Sequence, residues 1–210
     1  MSRRPPARGA APRQPGVVRI IGGRWRGTRL PVADAPGLRP TSDRVRETLF
    51  NWLMPALPGA RVLDLFAGTG ALGLEAVSRG AAHATLVERD PALAAALAGH
   101  VERLRAHDRV RVVREDALRW LAAATPEPFD IVFLDPPFAA ALWEPALRAL
   151  APWLAPGGWL YVESPPGAAP APPPGWLPHR ELRTAQARAA LYRGPGNTRA
   201  DTLAGAHPAP

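Results

Sequence analysis

The chain has 210 residues, of which 47% are hydrophobic, enough for one buried core and a small appendage. It contains no cysteine, which excludes disulfides, thiolate metal sites and catalysis by a thiol nucleophile. All 26 basic residues are arginine, and the net charge of +8 favours an anionic partner such as nucleic acid, although a GC-rich genome would also produce a chain rich in arginine, alanine and proline.

The N-terminal segment 1–16, MSRRPPARGAAPRQPG, is rich in arginine and proline and has little to bury. The sequence therefore predicts a disordered basic arm there. This segment lacks the apolar centre of a signal peptide, and no later run approaches the about 18 apolar residues of a membrane span. We therefore expect a soluble, cytoplasmic protein that does not contact a membrane.

Residues 17–32, VVRIIGGRWRGTRLPV, contain two β-rich segments on either side of Gly22-Gly23, a pair that tolerates the positive φ of a tight hairpin turn. We predict a β-hairpin extension over 17–38. Alternation along the strands would leave arginines on a solvent face, where they can meet phosphates while the Trp25 indole packs below or stacks on a base. The candidate RNA contacts are Arg19, Arg24, Trp25, Arg26 and Arg29.

The segment RPTSDRVRETLFNWLM predicts a helix over 39–54, because apolar residues recur in it at helical spacing. Its candidate N-caps are Thr41, Ser42 and Asp43. Two roles are open for this helix. Pro40, Thr41 and Arg44 could cover a cofactor or reach RNA, or the helix could only cap the sheet.

From residue 61 onward, short apolar runs alternate with alanine-rich helical stretches. The predicted strands are 61–66, 83–88, 109–113, 129–135 and 158–163, and the predicted helices are 71–80, 91–106, 116–124 and 141–154. This alternation predicts βαβ units in a Rossmann-like, doubly wound and mainly parallel sheet. A proline-rich connector, 164–176, precedes two candidate strands, 179–184 and 188–193, that could close the sheet edge as an antiparallel pair. The tail, 194–210, is expected to be disordered.

A glycine-rich turn, DLFAGTGALGLE, joins the first sheet strand to its helix, where the backbone must approach a ligand closely. Its pattern Gly68-x-Gly70-x-x-Gly73 matches the dinucleotide fingerprint. Glu88 follows it at about the sequence separation at which an acidic residue binds the ribose in such sites. Taken alone, the motif permits either a nicotinamide dinucleotide or S-adenosylmethionine.

Further features favour S-adenosylmethionine. Asp64 precedes the glycines, where a carboxylate could meet the ammonium of the methionyl part directly or through water. Asp116 follows the third strand, where it could accept a hydrogen bond from the adenine amino group. No other pyrophosphate-binding feature is apparent, and a Tyr-x-x-x-Lys dehydrogenase pair is impossible without lysine. The predicted cofactor contacts are Asp64, Phe66, Gly68, Gly70, Glu88, Asp116 and Ala117.

The stretch FDIVFLDPPF, 129–138, runs an apolar strand into a loop that two prolines stiffen. An exocyclic amino nitrogen on a base is a poor nucleophile, because its lone pair is delocalised into the ring. Acceptance of its N–H bonds by Asp135 and a loop carbonyl would push it toward a tetrahedral state, while Phe138 stacks on the base. The predicted catalytic residues are Asp135, Pro136, Pro137 and Phe138, with no metal.

Four segments in this order, RIIGGRWRG, RPTSDRVRETLFNWL, DLFAGTGALGLEAVSRGA and LDPPF, resemble the RsmD family of 16S ribosomal RNA guanine-N2 methyltransferases. The resemblance spans residues 17–193 and implies a class I methyltransferase domain over 39–193 that uses S-adenosylmethionine. It also implies methylation of a guanine amino group in 16S ribosomal RNA, on a partly assembled small ribosomal subunit. We expect the protein to act as a monomer.

Two rival functions stay open at this point. An Asp-Pro-Pro-aromatic or Asn-Pro-Pro-aromatic loop also serves amino methyltransferases that act on DNA adenine or protein glutamine, although the arginine-rich hairpin favours RNA. A non-catalytic RNA-binding or assembly factor could retain the same fold. An intact cofactor pocket argues against that second rival.

Overall fold

The computed structural model describes residues 16–32 and 42–196. The expectations of a disordered arm and tail therefore fall largely outside the described residues. The predicted contacts Pro40 and Thr41 lie outside them as well.

The described residues form five α-helices and nine strands, in close agreement with the predicted order of elements. The helices are α1 (Asp43–Leu53), α2 (Ala71–Ser78), α3 (Pro91–Arg103), α4 (Ala117–Ala123) and α5 (Trp143–Leu150). The strands are β1 (Val17–Arg19), β2 (Arg29–Pro31), β3 (Arg61–Asp64), β4 (His83–Glu88), β5 (Val110–Arg114), β6 (Phe129–Leu134), β7 (Leu154–Ser164), β8 (Leu177–Arg183) and β9 (Arg188–Arg193).

Seven strands build one sheet in the order β5-β4-β3-β6-β7-β9-β8. The first five of these run parallel, and β9 and β8 complete the sheet as an antiparallel pair. Both the mainly parallel sheet and the C-terminal pair are therefore confirmed. From β3 the chain adds β4 and β5 on one side of this strand and then crosses to add β6 on its other side. The junction of β3 and β6 is therefore the switch point where such sheets bind ligands.

Helices cover both faces of the sheet, so its central strands are buried on both sides and are nearly all apolar. On the face of α1 and α2, the Phe133 ring contacts the rings of Phe50 and Tyr161, with centroids 6.0 and 6.1 Å apart. On the face of α4 and α5, Trp153 packs against Trp120 and Phe129. These two layers fix the positions of the strand ends that carry the candidate site.

The largest boundary error concerns the helix predicted over 141–154. The α-helix ends at Leu150, a 3₁₀ turn covers Ala151–Trp153, and β7 begins at Leu154, before the predicted start of that strand at residue 158. The reason is Pro152, which has no backbone N–H to continue the α-helical ladder.

The tight turn predicted at Gly22-Gly23 is wrong. β1 and β2 do pair as an antiparallel hairpin, but residues 20–28 connect them through a 3₁₀ helix at Gly23–Trp25. Gly23 does have a positive φ of +74°, and a Cβ there would lie 1.9 Å from the carbonyl oxygen of Ser78. The glycine is thus needed mainly because the hairpin approaches the end of α2 so closely.

Candidate active site

The predicted cofactor and catalytic residues meet at the carboxyl edge of the parallel strands. Asp64 ends β3, Glu88 ends β4, and Asp135 follows β6 directly. Asp116 follows β5 and is the N-cap of α4. Parallel strands all end at the same edge, so four separate segments contribute carboxylates to one region around the switch point.

The glycine loop between β3 and α2 depends on backbone conformations that favour glycine. Gly68 and Gly70 have φ values of +53° and +75°, and a Cβ on Gly70 would lie 2.5 Å from Leu97 Cδ2. Gly73 lies inside α2, where a Cβ would be 2.1 Å from Leu86 Cδ2. The first two glycines shape the loop, and the third lets the helix pack closely on β4.

Asp64 is a buried carboxyl group, 2% exposed, whose Oδ2 accepts a hydrogen bond of 2.9 Å from the Gly73 amide. Burial raises its pKa to about 7; the Gly73 amide lowers this pKa and the neighbouring Glu88 carboxylate raises it. A cationic ligand group beside Asp64 would favour the ionised form. The environment therefore suits an ammonium group.

Glu88 orders the glycine loop directly. Its Oε2 accepts from the Gly68 amide and its Oε1 from the Asp90 amide, each at 2.8 Å. A carboxylate offers about four acceptor positions, so these bonds are compatible with further bonds to ribose hydroxyls. Glu88 is buried, which strengthens such bonds.

Asp116 has a structural role that the sequence analysis did not identify. Its Oδ1 caps α4 by accepting from the amides of Leu118 and Arg119 at 3.0 and 3.1 Å. Capping through Oδ1 is compatible with acceptance from an adenine amine by Oδ2. Of the other predicted contacts, Phe66 is half-buried in the loop after β3, and Ala117 is the buried first residue of α4.

The predicted catalytic loop is anchored at both ends. Asp135 is half-buried after β6, Pro136 is buried, and Pro137 is exposed. The half-buried Phe138 begins a short 3₁₀ helix, and its ring centroid lies 5.9 Å from that of Trp143 in α5. The aromatic side chain is therefore held next to the sheet edge and can still present part of its ring.

Two polar residues behind this loop were not predicted to belong to the site. The hydroxyl of the fully buried Tyr161 donates to Glu163 Oε2 at 2.7 Å. Burial raises the pKa of Tyr161 well above its usual value, and the carboxylates of Glu163 and Asp135 raise it further. The available signal was a glutamate ending the otherwise apolar run of β7.

The hairpin is fastened to α2 by residues that the sequence analysis also missed. Both oxygens of the fully buried Glu75 accept backbone bonds, Oε2 from Ile21 and Oε1 from Gly22, each at 2.7 Å. Ser78 Oγ donates to the Gly22 carbonyl at 2.6 Å and accepts from the Trp25 amide at 2.9 Å. The hairpin is thus docked along the helix whose other end carries the glycine loop.

The candidate RNA contacts divide into exposed arginines and one buried tryptophan. The exposed side chains are Arg19, Arg24, Arg26, Arg29 and Arg44. Trp25 is only 9% exposed and belongs to the core below them. Of the two roles considered for its indole, packing is the one that the structure supports, and stacking on a base would require the indole to leave this position.

Within the part of the chain that the structure describes, no group of three or more histidine, aspartate or glutamate side chains is arranged so that it could hold a metal ion. Among the same residues, no helix combines the length and apolarity needed to cross a bilayer.

Comparison with known proteins gives consistent results. A family model described as "Conserved hypothetical protein 95" matches residues 18–193. "Ribosomal RNA small subunit methyltransferase D" of Escherichia coli (strain K12) is 50% identical over 181 residues, covering 85% of this chain and 90% of the relative. The protein of the same name from Haemophilus influenzae is 42% identical over 186 residues, covering 87% and 96%. The solved structure of the Escherichia coli protein yhhF is 46% identical, with a TM-score of 0.80, and covers 87% of this chain and 100% of that one.

Proposed function

The chain belongs to the RsmD family of ribosomal RNA methyltransferases, and we propose that it transfers a methyl group from S-adenosylmethionine to the exocyclic N2 amino group of a guanine in 16S ribosomal RNA. The observation that carries this proposal is the anchored loop at Asp135–Phe138, which leaves β6 at the same sheet edge as the glycine loop. A methyl donor and a flat base bound there would lie side by side.

The residues at this edge fit S-adenosylmethionine. That cofactor presents an ammonium group, two ribose hydroxyls and an adenine amine, all of which can donate to carboxylates. Asp64 would hold the ammonium, Glu88 the ribose and Asp116 the adenine. When bound, the cofactor supplies an activated methyl group on a positively charged sulfur. Phe66 lies two residues after Asp64, Ala117 directly follows Asp116, and both would line the adenine and ribose region.

The chemistry that remains for the protein is positioning and electrostatics. Asp135 and a carbonyl of its loop would accept the N–H bonds of the guanine amino group, which localises the nitrogen lone pair toward the methyl group. Phe138 would stack on the base and hold the amino group in line with the methyl group. Orientation of this kind lowers the activation free energy by several kcal/mol. The guanine nitrogen that would receive the methyl group from the bound cofactor would then lose a proton, which the Asp135 carboxylate can accept.

A transfer assay tests the proposed function. The purified protein is given radiolabelled S-adenosylmethionine with 16S ribosomal RNA or small-subunit particles from a strain in which the gene is deleted, and mass spectrometry locates the new methyl group. We expect label on the N2 atom of one guanine. Preferential transfer to DNA adenine or to protein glutamine would favour those alternatives, and cofactor binding without any transfer would indicate a non-catalytic RNA-binding factor.

We also infer that the enzyme acts in the cytoplasm, on a partly assembled small subunit, and as a monomer. The proposed RNA substrate supports the first two statements, because an amino group on the Watson–Crick edge is most accessible before the particle is complete. The monomer is supported by the small number of large exposed apolar side chains among the described residues, which lie on three different elements: Val17 on β1, Met54 directly after α1 and Leu177 on β8.

Replacement of Glu88 or Asp116 by alanine is expected to weaken the binding of S-adenosylmethionine. Each change removes a charge-assisted hydrogen bond worth about 1.5–3 kcal/mol, which corresponds to roughly ten- to a hundredfold in affinity. Isothermal titration calorimetry measures the effect, and Glu144→Ala is the control, since that glutamate is 82% exposed on α5. Asp116→Asn separates the two roles of Asp116, because asparagine also caps helices. Unchanged affinity for S-adenosylmethionine in both alanine variants would favour a nicotinamide dinucleotide as the ligand of this pocket.

Replacement of both Arg24 and Arg26 by alanine is expected to weaken binding to ribosomal RNA. The slope of log affinity against log salt concentration should fall by about one unit for each lost phosphate contact, while the affinity for S-adenosylmethionine stays unchanged. Filter binding over a salt series measures the affinity for RNA and its salt slope, and calorimetry measures the affinity for S-adenosylmethionine. The control is the Arg119→Ala/Arg148→Ala double variant, which removes two exposed arginines from α4 and α5. A hairpin variant with the parental affinity and salt slope would contradict this role.

A further inference from the structure

A second carboxylate lies beside Asp135 at the sheet edge. β6 and β7 pair in parallel, with Phe133 opposite Tyr161 and Leu134 opposite Val162, so the next positions along the two strands are Asp135 and Glu163. Side chains alternate between the faces of a sheet, which puts Glu163 on the face of Tyr161. By the same alternation Asp135 lies on the face of Phe133, whose ring contacts that of Tyr161 with centroids 6.1 Å apart. Two carboxylates and one hydroxyl therefore lie on one face of the sheet, next to the predicted base-binding loop.

Glu163 is held in place from two sides. Its Oε2 accepts the 2.7 Å bond from the Tyr161 hydroxyl, and its backbone carbonyl accepts a 2.7 Å bond from Trp143 Nε1. The same Trp143 ring contacts Phe138, the aromatic residue of the catalytic loop. The Trp143 indole thus contacts both the backbone of Glu163 and the Phe138 ring on which the target base would stack.

The chemistry of guanine explains why two acceptors would lie together. On its Watson–Crick edge, guanine presents the N1–H next to the N2 amino group, so two adjacent donors face the protein. Adenine presents an acceptor, N1, at the corresponding position. A site with one carboxylate for the amino group and a second for the neighbouring ring N–H would accept guanine and oppose adenine.

Resting on the proposed function, we propose that Glu163 is a specificity-determining residue whose carboxylate, oriented by Tyr161, accepts the N1–H of the target guanine while Asp135 accepts the N2 amino group. A Tyr–Glu pair is not needed to fill this part of the core, since apolar residues of similar size would pack without burying a charge. Glu163 is only 8% exposed, so its carboxylate is largely shielded from water. A hydrogen bond to the base is accordingly stronger there than on the surface.

The test uses an RNA in which 2-aminopurine replaces the target guanine. This base keeps the 2-amino group that receives the methyl, but its N1 is an acceptor. We expect the wild-type enzyme to methylate guanine roughly ten- to a hundredfold faster than 2-aminopurine, the effect of leaving one buried polar group mismatched. In Glu163→Gln the amide can donate to N1 of 2-aminopurine, so the ratio of the two rates should approach one.

The control is Glu144→Gln, which changes an exposed glutamate next to Trp143 and should keep the wild-type ratio. A ratio in Glu163→Gln equal to that of the wild type would overturn the proposal. If Glu163→Gln does not fold, Tyr161→Phe decides, because loss of the orienting hydroxyl should also lower the ratio. An unchanged ratio in Tyr161→Phe, or a wild-type ratio near one, would then overturn it. Failure of the wild type to methylate guanine at all would instead contradict the proposed function.

Discussion

Replacement of Asp135 by alanine is expected to lower the turnover number for methyl transfer by about two to three orders of magnitude, a loss typical for removing one preorganised electrostatic group from a transition state. The affinity for S-adenosylmethionine should stay within a few fold, because Asp135 follows β6 and the proposed cofactor contacts lie at or after the ends of β3, β4 and β5. The effect is thus expected in turnover rather than in cofactor binding.

The measurement combines single-turnover transfer to ribosomal RNA with calorimetry of cofactor binding. Asp135→Asn tests the charge separately, because an amide oxygen can still accept one N–H bond, and we expect partial activity. Asp108→Ala, which changes an exposed aspartate, is the control. Near wild-type turnover in Asp135→Ala would exclude the proposed contact between Asp135 and the base and would make Glu163 the candidate acceptor of the guanine amino group.

Replacement of Glu75 by alanine is expected to lower the free energy of unfolding by about 3–5 kcal/mol, the usual effect of removing one partner from a buried charge pair. Arg46 is 1% exposed, and its Nη1 lies 3.8 Å from Glu75 Oε2. The amides of Ile21 and Gly22 would lose their acceptor at the same time. Arg79, whose Nε donates to Glu75 Oε1 at 2.7 Å, is partly exposed and would lose less.

Chemical denaturation measures the stability, and hydrogen exchange at Ile21 and Gly22 reports on the hairpin directly. We expect these amides to exchange faster even under conditions where the sheet stays folded, because the substitution removes the α2 carboxylate that accepts their hydrogen bonds. Glu102→Ala, at a side chain that is 76% exposed, should change the free energy of unfolding by under about 0.5 kcal/mol. A Glu75→Ala protein with parental stability and amide protection would mean that the hairpin is held by apolar packing alone.

The sequence alone determined the class of the fold, the order of the strands along the chain and the position of the loop that we propose to be catalytic. These features depend on short-range patterns: an apolar run followed by glycines, or by Asp-Pro-Pro-Phe, specifies a strand and the loop after it within about ten residues. The rule that parallel strands share a carboxyl edge then predicted that Asp64, Glu88, Asp116 and Asp135 lie in one region. The glycine motif alone permits two cofactors, and the choice of S-adenosylmethionine depended on the positions of the carboxylates and on the absence of lysine and of a further pyrophosphate-binding feature.

Only the tertiary structure decided how residues far apart in the chain meet. Glu75 accepts a hydrogen bond from the amide of Ile21 across 54 positions, and Gly23 is needed mainly because Ser78 approaches it so closely. Glu163 and Asp135 occupy the next positions beyond the last registered pair of β6 and β7, and no local pattern in either strand specifies that register. In each case the deciding contact is with a partner brought close by the packing of other elements, whether it satisfies a buried polar group or leaves no room for a Cβ, and sequence periodicity carries no information about that partner.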